Sequence, residues 1–191
     1  MEISKGITTG VLAMASVAGT AGVASAGVEG FYGGLSVGSY NGVLPFYDGN
    51  YDIASDATFG VFAGHNWQMS NKLYGGFEIA VNNGAQTSES GYTNDYGISV
   101  MVDVKGRVGT MLGKRTFAYG FVGVSGGFMD TNSGGYGIFG ANYGAGVEVG
   151  VSDRMSVGLE YISRSMVGQD YSYDYGTWTN GTLSVRAIFS F

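Results

Sequence analysis

The chain has 191 residues, with 36 glycines, 14 tyrosines, 11 phenylalanines, one proline and no cysteine. Interior glycine destabilises helices, whereas glycine and aromatic residues together suit closely paired strands, so the composition excludes a mainly helical fold. The net charge of −6 argues against nucleic acid as a partner, and the absence of cysteine excludes disulfides and thiolate metal sites.

Residues 1–26 are predicted to be a cleaved signal peptide. Lys5 lies in the short N-terminal region, and a weakly apolar stretch covers residues 7–23. Ala24-Ser25-Ala26 has the A-x-A pattern of a cleavage site. An uncleaved N-terminal membrane anchor is the alternative, which the interrupting Gly and Thr residues disfavour. Cleavage would leave residues 27–191 as one domain with 14 acidic (15 − 1) and 8 basic (9 − 1) residues, so its net charge is still −6.

Eight segments of about ten residues then alternate apolar and polar side chains, which is the pattern of membrane-spanning strands. They cover about residues 30–40, 57–67, 73–82, 97–109, 116–128, 138–151, 155–166 and 182–191. In the fourth segment, the face expected to point outward carries Ile98, Val100, Val102, Val104 and Val108. The fifth segment allows two facings, with either Val122 and Val124 outward or Phe117, Tyr119 and Phe121 outward, and we expect the valines outward.

The linkers between these segments alternate in length. Residues 41–56, 83–96, 129–137 and 168–179 form long polar linkers, whereas residues 69–72, 110–115 and 152–154 form short ones. Short turns on one side and long loops on the other are typical of outer-membrane barrels. The sequence therefore predicts an all-β fold, an eight-stranded antiparallel up-and-down transmembrane β-barrel in the bacterial outer membrane. A soluble lipocalin-like barrel is the alternative.

Charged residues within the segments fall on the faces predicted to point into the lumen. They are four acids and four bases: Glu78, Asp103, Lys105, Arg107, Glu148, Glu160, Arg164 and Arg186. A Lys or Arg facing mid-membrane lipid costs about 2–4 kcal/mol, so strand charges are expected inside, where they should pair. We predict a charge network that plugs the lumen. The many inward glycines leave space that water could occupy, so a small porin with low conductance is the alternative.

The long linkers and the short linkers differ in the sign of their charged residues. The long linkers contain no Lys or Arg and eight acids: Asp48, Asp52, Asp56, Glu89, Asp95, Asp130, Asp170 and Asp174. We expect divalent cations to bridge these carboxylates to lipopolysaccharide. The short linkers contain four bases and one acid: Lys72, Lys114, Arg115, Arg154 and Asp153.

Aromatic residues are frequent in the long linkers. They are Tyr47, Tyr51, Tyr92, Tyr136, Tyr171, Tyr173, Tyr175 and Trp178. Because aromatic side chains are enriched in interfaces, a role in binding an extracellular ligand is a further alternative function.

We expect no enzymatic activity, no cofactor and no metal site. His65 is the single histidine, and it is predicted to lie outward near the short-turn end beside Trp67, a position typical of an interfacial aromatic girdle. A catalytic histidine needs an orienting acid and a nucleophile. Residues 48–52 (DGNYD) imitate the start of a calcium loop, but Ile53 and Phe59 replace the required Gly and Glu.

Four stretches resemble a known family: GFYGGLSVG (30–38), HNWQMSNKLYGGFEI (65–79), GANYGAGVEVGVSDRMSVGLEY (140–161) and SVRAIFSF (184–191). They are similar to the porin-family or opacity-type proteins and to the barrel domain of outer-membrane protein A. The resemblance implies an eight-stranded outer-membrane barrel in the cell envelope of a Gram-negative bacterium. It also implies that the terminal strand, with Phe189 and Phe191, is the signal recognised by the barrel-assembly machinery.

Overall fold

A computed structural model describes residues 28–46, 49–53, 57–83, 97–131, 134–170 and 173–191. Within these ranges no helix is long and apolar enough to cross a membrane. The signal peptide prediction lies outside the described residues.

The described residues form nine antiparallel strands. These are β1 (Gly30–Phe46), β2 (Gly49–Ile53), β3 (Ala57–Gln68), β4 (Leu73–Asn83), β5 (Gly97–Met111), β6 (Thr116–Thr131), β7 (Gly134–Gly150), β8 (Met155–Asp170) and β9 (Tyr173–Ser190). Each strand from β3 to β9 pairs with its neighbour in sequence, β3 pairs with β1, and β9 returns to pair with β1. All strands except β2 therefore make a closed eight-stranded barrel, which confirms the predicted fold.

The barrel closes along the pairing of β1 with β9. This seam contains twelve paired positions, from Tyr32 with Ser190 to Val43 with Thr179. The backbone N–H of Phe191 donates a further hydrogen bond to the carbonyl of Phe31 at 3.0 Å. The alternating C-terminal segment is thus hydrogen-bonded to its last residue.

The three short turns share one hydrogen-bonding pattern. Each has a backbone N–H that bonds the carbonyl four residues later: Met69 to Leu73 at 2.8 Å, Leu112 to Thr116 at 2.9 Å, and Val151 to Met155 at 2.9 Å. These tight turns fix the register of the hairpins that they join, as loop length does in β-hairpins generally.

The long-linker side contains more strand than the sequence predicts. β1 continues to Phe46 and forms a hairpin with β2, inside a segment expected to be a loop. Likewise, β8 continues to Asp170 and β9 begins at Tyr173, so most of the expected fourth loop is a strand pair. These extensions were not predicted because Tyr and Thr favour strands without the apolar alternation that lipid imposes.

Side-chain facing agrees with the sequence except near Ile98. On β6, Val122 is 70% exposed and Phe117 is 2% exposed, so the valines face outward as expected. Ile98 was expected outward, but it is 4% exposed and lies inside the barrel. A register shift between Ile98 and Val100 is the reason, because an irregularity of one residue exchanges the two faces of a strand.

Candidate functional site in the barrel lumen

The structure places the side chains of all eight predicted strand charges inside the barrel, where they are buried. Three of them, Asp103, Lys105 and Arg107, alternate along β5, so the period-two geometry of a strand points them to the same face. The others come from β4, β7, β8 and β9. The ion pairs among these residues divide them into a group of six and a separate pair.

Glu78 is the centre of the larger group. Its carboxylate lies 3.0 Å from Lys105 Nζ, 2.9 Å from Arg107 Nη1 and 2.5 Å from Arg186 Nη2. The Tyr32 hydroxyl also donates to it at 3.0 Å. A single buried carboxylate therefore contacts three cations, and loss of its charge would remove one ion pair from each of them.

Two further carboxylates complete this group. Glu160 accepts from Lys105 Nζ at 2.6 Å and also forms an ion pair with Arg186. Glu148 accepts from Arg107 Nη2 at 2.6 Å. We call the six residues the central cluster: Glu78, Lys105, Arg107, Glu148, Glu160 and Arg186. Three acids and three bases make it neutral, which is the condition under which charges are tolerated in a low-dielectric interior.

Asp103 and Arg164 form the second group. The guanidinium of Arg164 donates through Nε at 2.8 Å and Nη2 at 2.7 Å to the two oxygens of Asp103, in the bidentate geometry that suits arginine and carboxylate. Ser125 also donates to Asp103 at 2.6 Å, and Arg164 donates to the Thr182 hydroxyl at 2.8 Å. The two predicted charges are thus satisfied by each other and by neutral neighbours.

Aromatic rings fill the space that the inward glycines leave. Directly opposed pairs across the strands are Tyr32 with Gly64, Phe62 with Gly34, Tyr119 with Gly146, and Phe121 with Gly144. A Cβ atom added at Gly146 would lie 2.4 Å from the Tyr119 ring. The expectation that water could occupy this glycine-rich volume is therefore wrong at these positions, because a ring already lies over each glycine.

The same rings contact the cations of the central cluster. The guanidinium of Arg107 lies 3.8 Å from the centre of the Tyr119 ring, and that of Arg186 lies 3.8 Å from the centre of the Phe62 ring. Sequence reasoning missed these aromatic residues as members of the site. The available signal was a glycine at the opposing position, which becomes visible only once the register between strands is known.

An apolar group fills the lumen on the long-loop side of Asp103. We call it the apolar cap, and its buried members are Tyr40, Ile98, Met101, Met129, Ile138, Met166 and Trp178. Tyr136 packs against it and donates to Met129 Sδ at 2.7 Å. Trp178 was expected in an exposed recognition loop, but it is 4% exposed within this cap. The interior face of β9 holds it there because β9 begins before the predicted loop ends.

The interior beside the central cluster contains a cavity of about 20 Å³, lined by side chains that include Glu78, Glu160 and Arg164. This space holds roughly one water molecule. A second cavity, of about 110 Å³, lies at the short-turn mouth. Among the described residues, no group of three or more His, Asp or Glu side chains is arranged to hold a metal ion.

Two further predicted residues, His65 and Phe189, lie at the short-turn end. The ring of His65 is 4.4 Å from that of Phe31 and 6.3 Å from those of Trp67 and Phe77, all three of which are exposed on the outer face. Phe189 is exposed on the outer face of β9. The side chains of the eight acids in the long linkers lie outside those that the structure describes.

Comparison with known proteins identifies the family. The pattern of the outer membrane protein beta-barrel domain matches residues 9–187. The chain belongs to this family. It is 35% identical over 164 residues to the 22 kDa outer membrane protein of Rhizobium leguminosarum bv. viciae, covering 80% of this chain and 71% of that protein. The protein is therefore an outer-membrane protein whose strands cross the membrane.

Solved structures of low sequence identity share the fold. Neisserial surface protein A superposes with a TM-score of 0.61 at 13% identity, over 86% of this chain and 99% of that one. Ail, the attachment invasion locus protein of Yersinia pestis, in complex with the heparin analogue sucrose octasulfate, superposes with a TM-score of 0.52 at 16% identity, over 85% and 100%. These likenesses show the architecture of the barrel alone.

Proposed function

We propose that the protein is a structural component of the outer membrane whose lumen is closed by the central cluster. The observation that carries this proposal is the buried, neutral set of ion pairs that spans from β4 to β9 across the interior. An ion that crosses the lumen has to separate at least one of these pairs. Breaking a buried pair by removing one partner costs about 3–5 kcal/mol, so spontaneous opening is expected to be rare.

Planar-bilayer recording tests this closure. Wild-type protein should be mostly silent, whereas Arg186→Ala should open frequently because Arg186 pairs with both Glu78 and Glu160. Glu148→Ala should open less often, since its partner Arg107 keeps a second ion pair with Glu78. Val185→Ala is the matched control, because Val185 precedes Arg186 on β9 and faces outward.

Two outcomes would contradict the proposal. Steady ohmic steps from the wild-type protein would favour the small-porin alternative. Silence of Arg186→Ala, in a preparation whose folded state is established by heat-modifiable gel migration, would mean that other residues close the lumen.

Recognition of an extracellular ligand is the second candidate function. It is supported by the β1–β2 and β8–β9 hairpins, which continue as paired strands into the segments expected to be loops. Ail is known in complex with sucrose octasulfate, a polyanion. The long linkers here carry eight acids and no Lys or Arg, so we propose a neutral or cationic ligand instead.

The test replaces Tyr171, Tyr173 and Tyr175 by serine and measures binding of the protein, displayed on cells, to polylysine and to sucrose octasulfate. Deletion of residues 168–179 is unsuitable because it removes paired residues of β8 and β9. If the wild-type protein binds polylysine and the serine variant does not, the result would support recognition through these loops. Binding of sucrose octasulfate, or equal binding by the variant, would count against it.

Biogenesis and lipid contacts complete the proposal. The sequence is consistent with export through a signal peptide that is cleaved after residue 26. It is also consistent with recognition of Phe189 and Phe191 by the barrel-assembly machinery and with divalent-cation bridges from the acidic loops to lipopolysaccharide. The mass of the protein extracted from membranes tests cleavage. Unchanged hydrogen exchange of the loops after magnesium chelation would argue against the cation bridges.

A further inference from the structure

The short-turn mouth of the barrel contains a small open chamber. Its volume is about 110 Å³, and its floor includes Tyr32, Phe117 and Glu148. Its rim is built from the turn between β5 and β6 and the turn between β7 and β8, which contribute Lys114, Arg115 and Arg154. We call this chamber the vestibule.

The three rim cations differ from the cations deeper in the lumen. Every Lys and Arg of the central cluster has at least two ion-pair or hydrogen-bond partners. Lys114, Arg115 and Arg154 form no ion pair with any described residue. Two acids line the vestibule, Asp153 at the rim and Glu148 at the floor, and Glu148 is neutralised by Arg107. The vestibule therefore has an excess of positive charge that the described protein leaves unbalanced.

Backbone hydrogen bonds fix the positions from which these cations extend. The carbonyl of Arg115 accepts from the N–H of Gly150 at 2.8 Å, and the carbonyl of Arg154 accepts from the N–H of Ser190 at 3.0 Å. Both main-chain segments are thereby tied to neighbouring strands of the barrel. A ligand that binds here orders side chains alone, which lowers the entropic cost of binding.

We propose that the vestibule binds a compact anion, a carboxylate or phosphate group, that enters from the periplasm. Arginine matches both groups because its planar guanidinium donates two parallel hydrogen bonds. The volume sets the size of the ligand: a cavity of about 150 Å³ accommodates benzene, so 110 Å³ suits a group of about five non-hydrogen atoms. The hydroxyls of Ser156 and Ser190 also line the chamber and supply additional donors.

The position of the vestibule selects a soluble anion over a lipid headgroup. The chamber lies inside the ring of strands, with the aromatic floor residues of the lumen beneath it. Lipid headgroups contact such barrels at aromatic girdles on the outer face, and here His65, Trp67 and Phe77 lie together on that face. In outer-membrane barrels the short turns face the periplasm, so the site opens to that aqueous compartment along the barrel axis.

Nuclear magnetic resonance titration of the membrane-extracted protein in neutral detergent tests the site. Inorganic phosphate and acetate are added separately at constant ionic strength, and the amides of Ser152 and Ser156 serve as reporters. We expect saturable shifts with at least one anion. The double variant Arg115→Gln/Arg154→Gln should weaken binding at least tenfold, since hydrogen bonds to charged groups are each worth about 1.5–3 kcal/mol, or roughly tenfold to a hundredfold in affinity.

Lys72→Gln is the matched control, because Lys72 lies in the short turn between β3 and β4 and does not line the vestibule. It should change the dissociation constant less than twofold. Equal weakening by Lys72→Gln would mean that diffuse surface charge attracts the anion. Absence of saturable shifts in a correctly folded sample, or shifts that require anionic phospholipid in the micelle, would overturn the proposal.

Discussion

The central cluster and the apolar cap fill two parts of one lumen by opposite chemistry. Along β5, Met101 belongs to the cap and Lys105 and Arg107 belong to the cluster. Each member of the cluster needs its partners, because an unpaired buried charge is costly. Members of the cap need only matching volume, and methionine adapts its shape readily. The cluster should therefore be intolerant of substitution and the cap tolerant.

The strongest challenge to this comparison is Glu78→Gln. The change keeps the volume of the side chain, but it leaves Lys105, Arg107 and Arg186 with two carboxylates in place of three. We expect a loss of about 3–5 kcal/mol in the free energy of unfolding. Urea unfolding from lipid vesicles, followed by the fluorescence of Trp67 and Trp178, measures it.

The control for Glu78 is its neighbour Ile79→Val, which changes an outward side chain on β4. It should cost less than about 1.5 kcal/mol, the upper end for removal of one methyl group. If Glu78→Gln costs no more than this control, the ion pairs do not hold the cluster together.

A smaller effect is expected where a glycine supports an aromatic ring. In Gly146→Ala the new methyl group would lie 2.4 Å from the Tyr119 ring, whose hydroxyl donates to Glu160 at 2.9 Å. Overpacking of this kind typically costs about 1–3 kcal/mol. The same unfolding measurement applies, and bilayer recording should reveal additional openings because the ring also contacts Arg107.

Gly120→Ala provides the comparison for Gly146. Gly120 lies on the outer face of β6, where an added Cβ would be 3.7 Å from the nearest atom, the carbonyl oxygen of Gly144. This variant should fold with unchanged or slightly increased stability. Equal losses at the two positions would show that contact with the Tyr119 ring is not what destabilises Gly146→Ala.

The smallest effect is expected in the apolar cap. Met166→Leu conserves volume approximately and should cost less than about 1.5 kcal/mol. It should also leave wild-type behaviour in bilayers unchanged, since it does not alter the ion pairs. A loss as large as that of Glu78→Gln would remove the proposed contrast between cluster and cap.

The sequence was sufficient to predict the barrel and the facing of its charges, because lipid penalises a misplaced charge strongly. It was insufficient at Ile98, where a register shift leaves no trace in the alternation. It also misplaced Trp178, since a segment rich in Gly, Tyr and Asp suits either a loop or an extended hairpin. The inward facing of Tyr119 depended on Gly146 across the strand, and that pairing requires the register of the folded barrel.

The seam between β1 and β9 also has a consequence for synthesis. It joins residues near 32–43 to residues near 179–190, so the contacts that close the barrel are among the most distant in the chain. Such contacts form late, and closure cannot begin until the ribosome has completed β9. Until then β1 and β8 are open edges that invite pairing with other chains. These edges therefore stay unpaired until β9 has been synthesised and has paired with β1.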